Sequence, residues 1–399
     1  MALSDNVQFE VINRKAEFYK PFQNDEVLAI ERNIKDSVSK IIARTTIEDP
    51  SFEFKDVILS GSIAEGLQVR HYDFDFLLVL KTKFELKEDD TLKPGFVNII
   101  LEQKLDPFRL RRRFYRALMK ALQSLHLTDN VLVTLKKKAV SVKLQIVDDT
   151  LACSHTDVDL VLALQPPLSF WPRCSKKWKL ERSLHKGLPA EVIEEIVANG
   201  VYFVPRYEFV SGKQEQSHWR VSFSAAESVI IRKMTLAQRS AFRMMKVILE
   251  RQTKKSIQDK ETDEWTKSFV DKMTTTYHIK TILLHLNEDA SLSKLEERQY
   301  LICILKALLH SLKTMHLTHY FIPDINLYSE LKENPAFRNF PELAEMYKFS
   351  IQQYEELLEN LPEDLSELKN EAEPGRIVIL IPPHEEAYVM NDENPYIIS

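Results

Sequence analysis

The sequence predicts an α+β protein in two lobes, with a ligand site in the cleft between them. Three observations lead there. Up to about residue 232, short apolar runs such as "DFDFLLVLK" and "AVSVKLQIV" have the alternation or continuity of strands. From about residue 235 onward, apolar residues recur every three or four positions, the spacing of helices. One long amphipathic helix over 25–44 precedes the first strand and would lie along the first lobe as a spine. The expected division is therefore 1–232 for the core lobe, 233–370 for the helical lobe and 371–399 for an irregular extension.

In order along the chain, the helix over 25–44 has Val27, Ile30, Ile34, Val38, Ile41 and Ile42 on one face, and Asn24 or Asp25 can cap it. A strand "KDVILS" leads into a loop "GSIAEG", and the strand "DFDFLLVLK" follows. A basic helix is expected over 108–126, then strands over 139–147 and 157–165. "HWRVSFSAAESVII" reads as a strand turning into a helix. In the second lobe, Leu301, Leu305, Leu308, Leu309, Leu312 and Met315 mark one helix face, and "ELAEMYKFSIQQYEELLENL" is another helix. The extension has one apolar island, "RIVILIPP".

Composition narrows the function classes. The net charge of -5 gives no bulk attraction for nucleic acid, so any such surface must come from local clusters. Cys153, Cys174 and Cys303 lie far apart and form no CxxC, which disfavours a disulfide framework or a zinc site and suits the reducing cytoplasm. The N-terminus has no apolar signal region, and the apolar runs are too short to span a bilayer, so no membrane partner is expected.

The chemistry-bearing stretch is "SGSIAEGLQVRHYDFDFLLVLK", residues 60–81. Strand side chains alternate, so Asp73, Asp75 and Leu77 share one face while Phe74, Phe76 and Leu78 share the other. Packing alone would not place two carboxylates on one face of a strand entering a core. A magnesium or manganese site would, and phosphoryl transfer between nucleotides uses two such ions. A third carboxylate from a neighbouring strand would complete the set, and "HTDVDLVLAL" offers Asp157 or Asp159. With only seven glycines in the chain, Gly61 and Gly66 stand out, and Gly61-Ser62 suits a phosphate cradle.

This order of strand, Gly-Ser, acidic pair and later acidic strand resembles the polymerase-β-like nucleotidyltransferases. More narrowly, the chain resembles the cGAS-like receptors, relatives of cyclic GMP–AMP synthase within the male-abnormal protein family. The resemblance runs from the long first helix to about residue 350. It rests further on "FWP", "VYFVPRY", "HWRVSFSAAE", "MMKVILE", "TYHIKTILLHL" and "HYFIPDINLY". It implies a polymerase-β-like lobe with a spine helix and a helical lobe behind it, and it selects Asp159 as the third metal ligand and general base. It places nucleotide contacts at Ser60, Gly61, Ser62, Arg220, Ser222, Ser224, Glu227, Lys246, Thr276, Tyr277 and Lys280, with Tyr277 stacking on a base. The implied function is a cytoplasmic synthase of innate immunity that makes a cyclic dinucleotide from two nucleoside triphosphates, ATP and GTP, and is read by a receptor of the STING type.

Departures from the family shape the expected trigger. Vertebrate cyclic GMP–AMP synthase has a zinc-binding His and Cys cluster after "WRxSFS", whereas "AAESVIIRKMTLAQRSAFRM" contains neither residue. No zinc is expected, and double-stranded RNA is favoured over DNA. Its proposed surface is Lys176, Lys177, Lys179 and Arg182, in the basic stretch that follows the Asp159 strand. A second basic stretch, with Arg109, Arg111, Arg112, Arg113, Arg116 and Lys120, spreads around a helix and reads equally as a solvated face. The alternative function is a silent member of the fold that binds a nucleotide or partner without turnover. An RNA-tailing enzyme of the same superfold is disfavoured by the "WRVSFS" and "YHIKT" pair.

Overall fold

The computed structural model describes residues 11–13, 25–69, 73–88, 92–101, 106–135, 141–147, 156–184, 187–208, 216–258, 273–333 and 341–372. "RIVILIPP", nearly all of the extension and Cys153 lie outside these residues. Ten strands are β1 (Val11–Asn13), β2 (Phe54–Ser60), β3 (Asp73–Leu80), β4 (Phe84–Lys87), β5 (Phe96–Leu101), β6 (Val131–Thr134), β7 (Val142–Ile146), β8 (Thr156–Ala163), β9 (Tyr202–Glu208) and β10 (Gln216–Ser222). The first lobe's helices are α1 (Asp25–Glu48), α2 (Gly61–Glu65), α3 (Pro107–Ser124), α4 (Lys176–Leu184), α5 (Ala190–Asn199) and α6 (Ser224–Lys233). The helical lobe contributes α7 (Leu236–Gln258), α8 (Thr276–Leu286), α9 (Glu297–Thr314), α10 (Ser329–Glu333), α11 (Pro341–Glu359) and α12 (Ser366–Ala372).

A mixed six-stranded sheet, ordered β1-β2-β3-β8-β7-β6, forms the platform. Its centre is the parallel pair β3 and β8, flanked by antiparallel β2 and β7. Phe74, Phe76, Leu78 and Leu80 from β3 join the main core with Ile30, Ile34, Val38, Ile41 and Ile42 of α1 and Phe114 and Leu118 of α3. The opposite alternation of the same strands, Leu77, Val79 and Ala163, packs with Ile58, Tyr202, Val204 and Ala225 in a second, smaller core. That smaller core lies on the sheet face that carries the aspartates. A second, antiparallel sheet, β4-β5-β10-β9, meets the first through a bridge between Leu164 and Phe203.

Two expectations need correction. "GSIAEG" is not a plain loop: Gly61–Glu65 closes a single helical turn, and Gly66 ends it in the left-handed region at φ 67. Met315 does not extend the α9 face; it sits at φ 47 as the residue that stops the helix. The motifs "FWP", "SFS" and "YFIP" meet in one aromatic cluster. Phe223 stacks on Phe321 at 4.6 Å, Trp178 lies 4.8 Å from Phe321, and Trp171 lies 5.8 Å from Trp178. Ser175 Oγ donates to the Phe321 carbonyl at 2.6 Å, so α4 is fastened to the helical lobe beside that cluster.

Candidate active site

The parallel register of β3 and β8 sets Asp75 beside Asp159 and Asp73 beside Asp157. On the other side of β3, Ser60 at the end of β2 lies opposite Asp75. Ser60, Asp75 and Asp159 therefore stand abreast on neighbouring strands, about 4.8 Å apart from strand to strand. Of the two acids of β8, Asp157 is paired with Lys143 at 2.6 Å. Asp159 instead accepts from Ser141 Oγ at 2.8 Å. Lys143 thus pairs with Asp157, and Ser141 with Asp159, the carboxylate beside Asp75.

Gly61 explains why the turn after β2 needs glycine. Its φ is +67, and a Cβ there would lie 1.9 Å from Asp75 Oδ2. The Asp75 carboxylate thus rests directly on the Gly61 backbone. Burial pushes the Asp75 carboxyl up to about 7, and Asp159 and Asp73 add to the effect. Asp73, at the open end of the row, is also raised by burial, with Lys143 opposing and Asp157 and Asp159 reinforcing.

These carboxylates suit a hard divalent cation. Among the described residues, no three His, Cys, Asp or Glu side chains are grouped so as to hold a metal ion by themselves. A row of carboxylates open at one end could hold magnesium or manganese only together with water and oxygens from substrate phosphates.

Beside the row, α2, α6 and α8 meet in a buried polar seam. Lys280 Nζ lies 2.8 Å from Glu65 Oε1 and 2.8 Å from Glu227 Oε2. Burial alone would push the Lys280 ammonium down, but Glu227 and Glu65 together drive it well up. The two carboxylates share that ammonium unequally. Glu65 is raised, mainly by burial and further by Glu227. Glu227 is lowered despite its burial, because Lys280 and the Tyr277 hydroxyl favour its charged form. Tyr277 Oη donates to Glu227 Oε1 at 3.3 Å and lies 3.0 Å from His319 Nε2. His319 Nδ1 accepts from the backbone N–H groups of Phe321 and Ile322, both at 3.1 Å. Its proton is therefore on Nε2, which donates to Tyr277.

The residues assigned to the nucleotide fall into three settings. Arg220, Glu227 and Tyr277 come together, with Ser222 and Ser224 hydroxyls 3.4 Å apart alongside. Tyr277 is 38% exposed, enough to offer part of its ring, and Thr276 beside it is exposed. Lys246 reaches the Leu67 carbonyl at 3.2 Å; burial lowers its ammonium while Asp73 and Glu65 oppose that. Lys280, assigned to the nucleotide, is drawn instead to the buried glutamates Glu65 and Glu227. Sequence reasoning missed Glu65 and His319. Glu65 lies in "GSIAEG", where only the glycines and Ser62 drew notice, and His319 precedes the "YFIP" motif, which gave no sign of its hydrogen bonds.

On α4, Lys176, Lys177 and Lys179 are exposed. Arg182 is a correction: its side chain turns inward, pairs with Glu288 at 2.8 Å, and lies over the rings of Trp178 and Tyr320 at 5.8 and 5.4 Å. Packing accounts for it without a nucleic acid. Arg113 of the other basic stretch is likewise paired, with Asp49 at 2.7 Å.

Residues 67–233 match the Mab-21 protein nucleotidyltransferase domain, and residues 237–343 match the Mab-21 protein HhH/H2TH-like domain. Cyclic GMP-AMP synthase of Sus scrofa is 27% identical over 197 residues, 45% of this chain and 37% of that protein. Cyclic GMP-AMP synthase of Mus musculus is 29% identical over 189 residues, 43% of this chain and 34% of that protein. The aligned part of the chain thus spans little more than a third of the length of these curated relatives. Among the described residues, no helix is long and apolar enough to cross a membrane.

Proposed function

From a chain that belongs to the Mab-21 family, with its nucleotidyltransferase domain followed by its helical domain, we infer an enzyme that joins two nucleoside triphosphates, ATP and GTP, into a cyclic dinucleotide. The observation that carries this reading is the row of Asp75 and Asp159, with Asp73 at its open end and the Gly61 backbone against Asp75. Magnesium or manganese bound by Asp73, Asp75 and Asp159 would supply the positive charge that a transferring phosphoryl group needs.

The chain's own residues divide the remaining work. Ser141 orients the Asp159 carboxylate through Oδ1, and that carboxylate would take the proton from an attacking ribose hydroxyl. Ser60, Gly61 and Ser62 line the turn next to Asp75, where backbone N–H and hydroxyl groups can meet phosphate oxygens. Tyr277 offers a ring to a base, and its hydroxyl is fixed by Glu227 and His319. Arg220, Ser222, Ser224 and Thr276 would add hydrogen-bonding groups for the nucleotide, with Lys246 near Asp73 for phosphate. Double-stranded RNA is the proposed activator, innate immune signalling from the cytoplasm through a STING-type receptor the proposed role.

The test is incubation with magnesium and all four nucleoside triphosphates, with and without double-stranded RNA or DNA, and identification of products by mass spectrometry. A cyclic dinucleotide is expected with RNA. Asp159→Asn should reduce it on the order of a hundredfold or more, as comparable electrostatic deletions do. Linear tails would favour an RNA-tailing enzyme. Nucleotide binding with no product under any condition would identify a silent member of the fold.

A further inference from the structure

The seam between α2, α6 and α8 holds two carboxylates for one ammonium, with side-chain exposures of 2% for Glu65, 8% for Glu227 and 15% for Lys280. The position of Glu65 suggests what the arrangement does. It is the last residue of α2, and Gly61, which carries the Asp75 carboxylate on its backbone, is the first. A turn of five residues has little stability of its own, and Ser60, which precedes it at the N-cap, makes no side-chain capping hydrogen bond.

Ile63 and Ala64 seat α2 in the main core, and four hydrogen bonds from other elements fix its far end. Glu65 Oε1 accepts from Lys280 Nζ of α8 at 2.8 Å and from Ser228 Oγ of α6 at 3.3 Å. Just beyond the turn, the Gly66 carbonyl accepts from Arg243 at 3.4 Å and the Leu67 carbonyl from Lys246 at 3.2 Å, both on α7. Three of these four tethers belong to the helical lobe. The carboxylate is the one side-chain group of α2 among them.

We propose that Glu65 is a positioning residue: bound to Lys280, it ties the α2 turn to the helical lobe and so holds Gly61 against Asp75, fixing that carboxylate for a divalent cation. Glu65 touches neither nucleotide nor metal. The proposal rests on the reading of Asp75 as a metal ligand.

Reach and charge can be separated at this position. Glu65→Gln keeps the length and the acceptor oxygen without the charge. Glu65→Asp keeps the charge but is a methylene too short. Glu65→Met keeps the volume with neither. The measurement is Mn2+ affinity, from the electron paramagnetic resonance signal of the free ion, beside the melting temperature of each variant. Loss of an outer group that orients a metal ligand weakens binding by about tenfold to a hundredfold, so Glu65→Asp and Glu65→Met should lose that much while Glu65→Gln stays within about threefold of the parent. A field effect of the charge gives the opposite ranking. The proposal is overturned if Glu65→Asp binds Mn2+ like the parent, or if Glu65→Gln is as weak as Glu65→Met. Should Glu65→Asp be unfolded at the assay temperature, the contrast between Glu65→Gln and Glu65→Met decides alone. If Asp75→Asn leaves Mn2+ binding unchanged, the metal-site reading itself fails and the proposal with it.

Discussion

Asp75 is expensive for the fold. In the metal-free protein its carboxyl is pushed up to about 7 from an ordinary 3.8. Folding therefore takes up a proton at Asp75 between about pH 4 and pH 7. The stability tied to that proton is fully present below about pH 4 and is lost as the pH rises through 7, at most about 4 kcal/mol of it. Asp75→Asn is thus expected to raise the melting temperature of metal-free protein at pH 8, and to bring no such gain at pH 4, while abolishing turnover. Thermal melts at the two pH values check this; equal shifts at both would remove the argument. The sequence announced the aspartate pair through its alternation with Phe74 and Phe76, but gave no measure of how deeply Asp75 is enclosed. Gly61 gives the complementary case. Gly61→Ala places a methyl group where Asp75 Oδ2 now lies and also strains a left-handed backbone, the latter at about 1–2 kcal/mol. Turnover should fall on the order of a hundredfold, because Asp75 has to move from the site of charge development. Activity near that of the parent would show that the carboxylate has another resting place.

Among the elements, the short turn α2 depends most on its neighbours. Removing the ammonium with Lys280→Ala leaves Glu65 and Glu227 buried and facing each other. Breaking a buried ion network in this way costs about 3–5 kcal/mol. A chemical denaturation curve should show a fall of that size, well beyond the loss of a surface contact. A purely nucleotide-binding lysine would instead leave unfolding unchanged and weaken substrate binding. The long helices were legible in outline because their apolar spacing is regular: α1 extends only four residues past the expected end, at Glu48. The turn over Gly61–Glu65 was not, since five residues contain too little periodicity to separate a helical turn from a loop. Pairing between strands distant in sequence was equally hidden. Nothing in "DFDFLL" or "DVDLVL" alone states that β3 and β8 run side by side, and the choice of Asp159 over Asp157 came from family resemblance. The structure adds a physical distinction, since Lys143 takes Asp157 and leaves Asp159 to Ser141.

For the molecule as a whole, the lobes meet through an aromatic cluster and a polar seam, so a ligand on α4 has a mechanical route to the site. Ser175, Trp178 and Arg182 anchor one side of α4, while Lys176, Lys177 and Lys179 face outward. Changing those three lysines to Glu should abolish RNA-stimulated product and flatten the salt dependence of RNA binding by roughly one unit of slope per lost phosphate contact. A triple variant that responds like the parent would place the sensor elsewhere. Arg182→Ala should act differently, lowering the melting temperature through lost packing against Trp178 and Tyr320 and the loss of the partner of Glu288. Whole-molecule charge could not have divided these roles, because one basic stretch contains both outward and inward side chains. The cost of Asp75 has a last consequence, for descent. A lineage that stopped using this chemistry would gain stability from the first substitution that neutralised Asp75, and neither core would resist the change. Drift would then erase the acids before it touched the fold. The proposed reaction, if in use, is what offsets that standing cost in a chain that carries Asp73, Asp75 and Asp159 together.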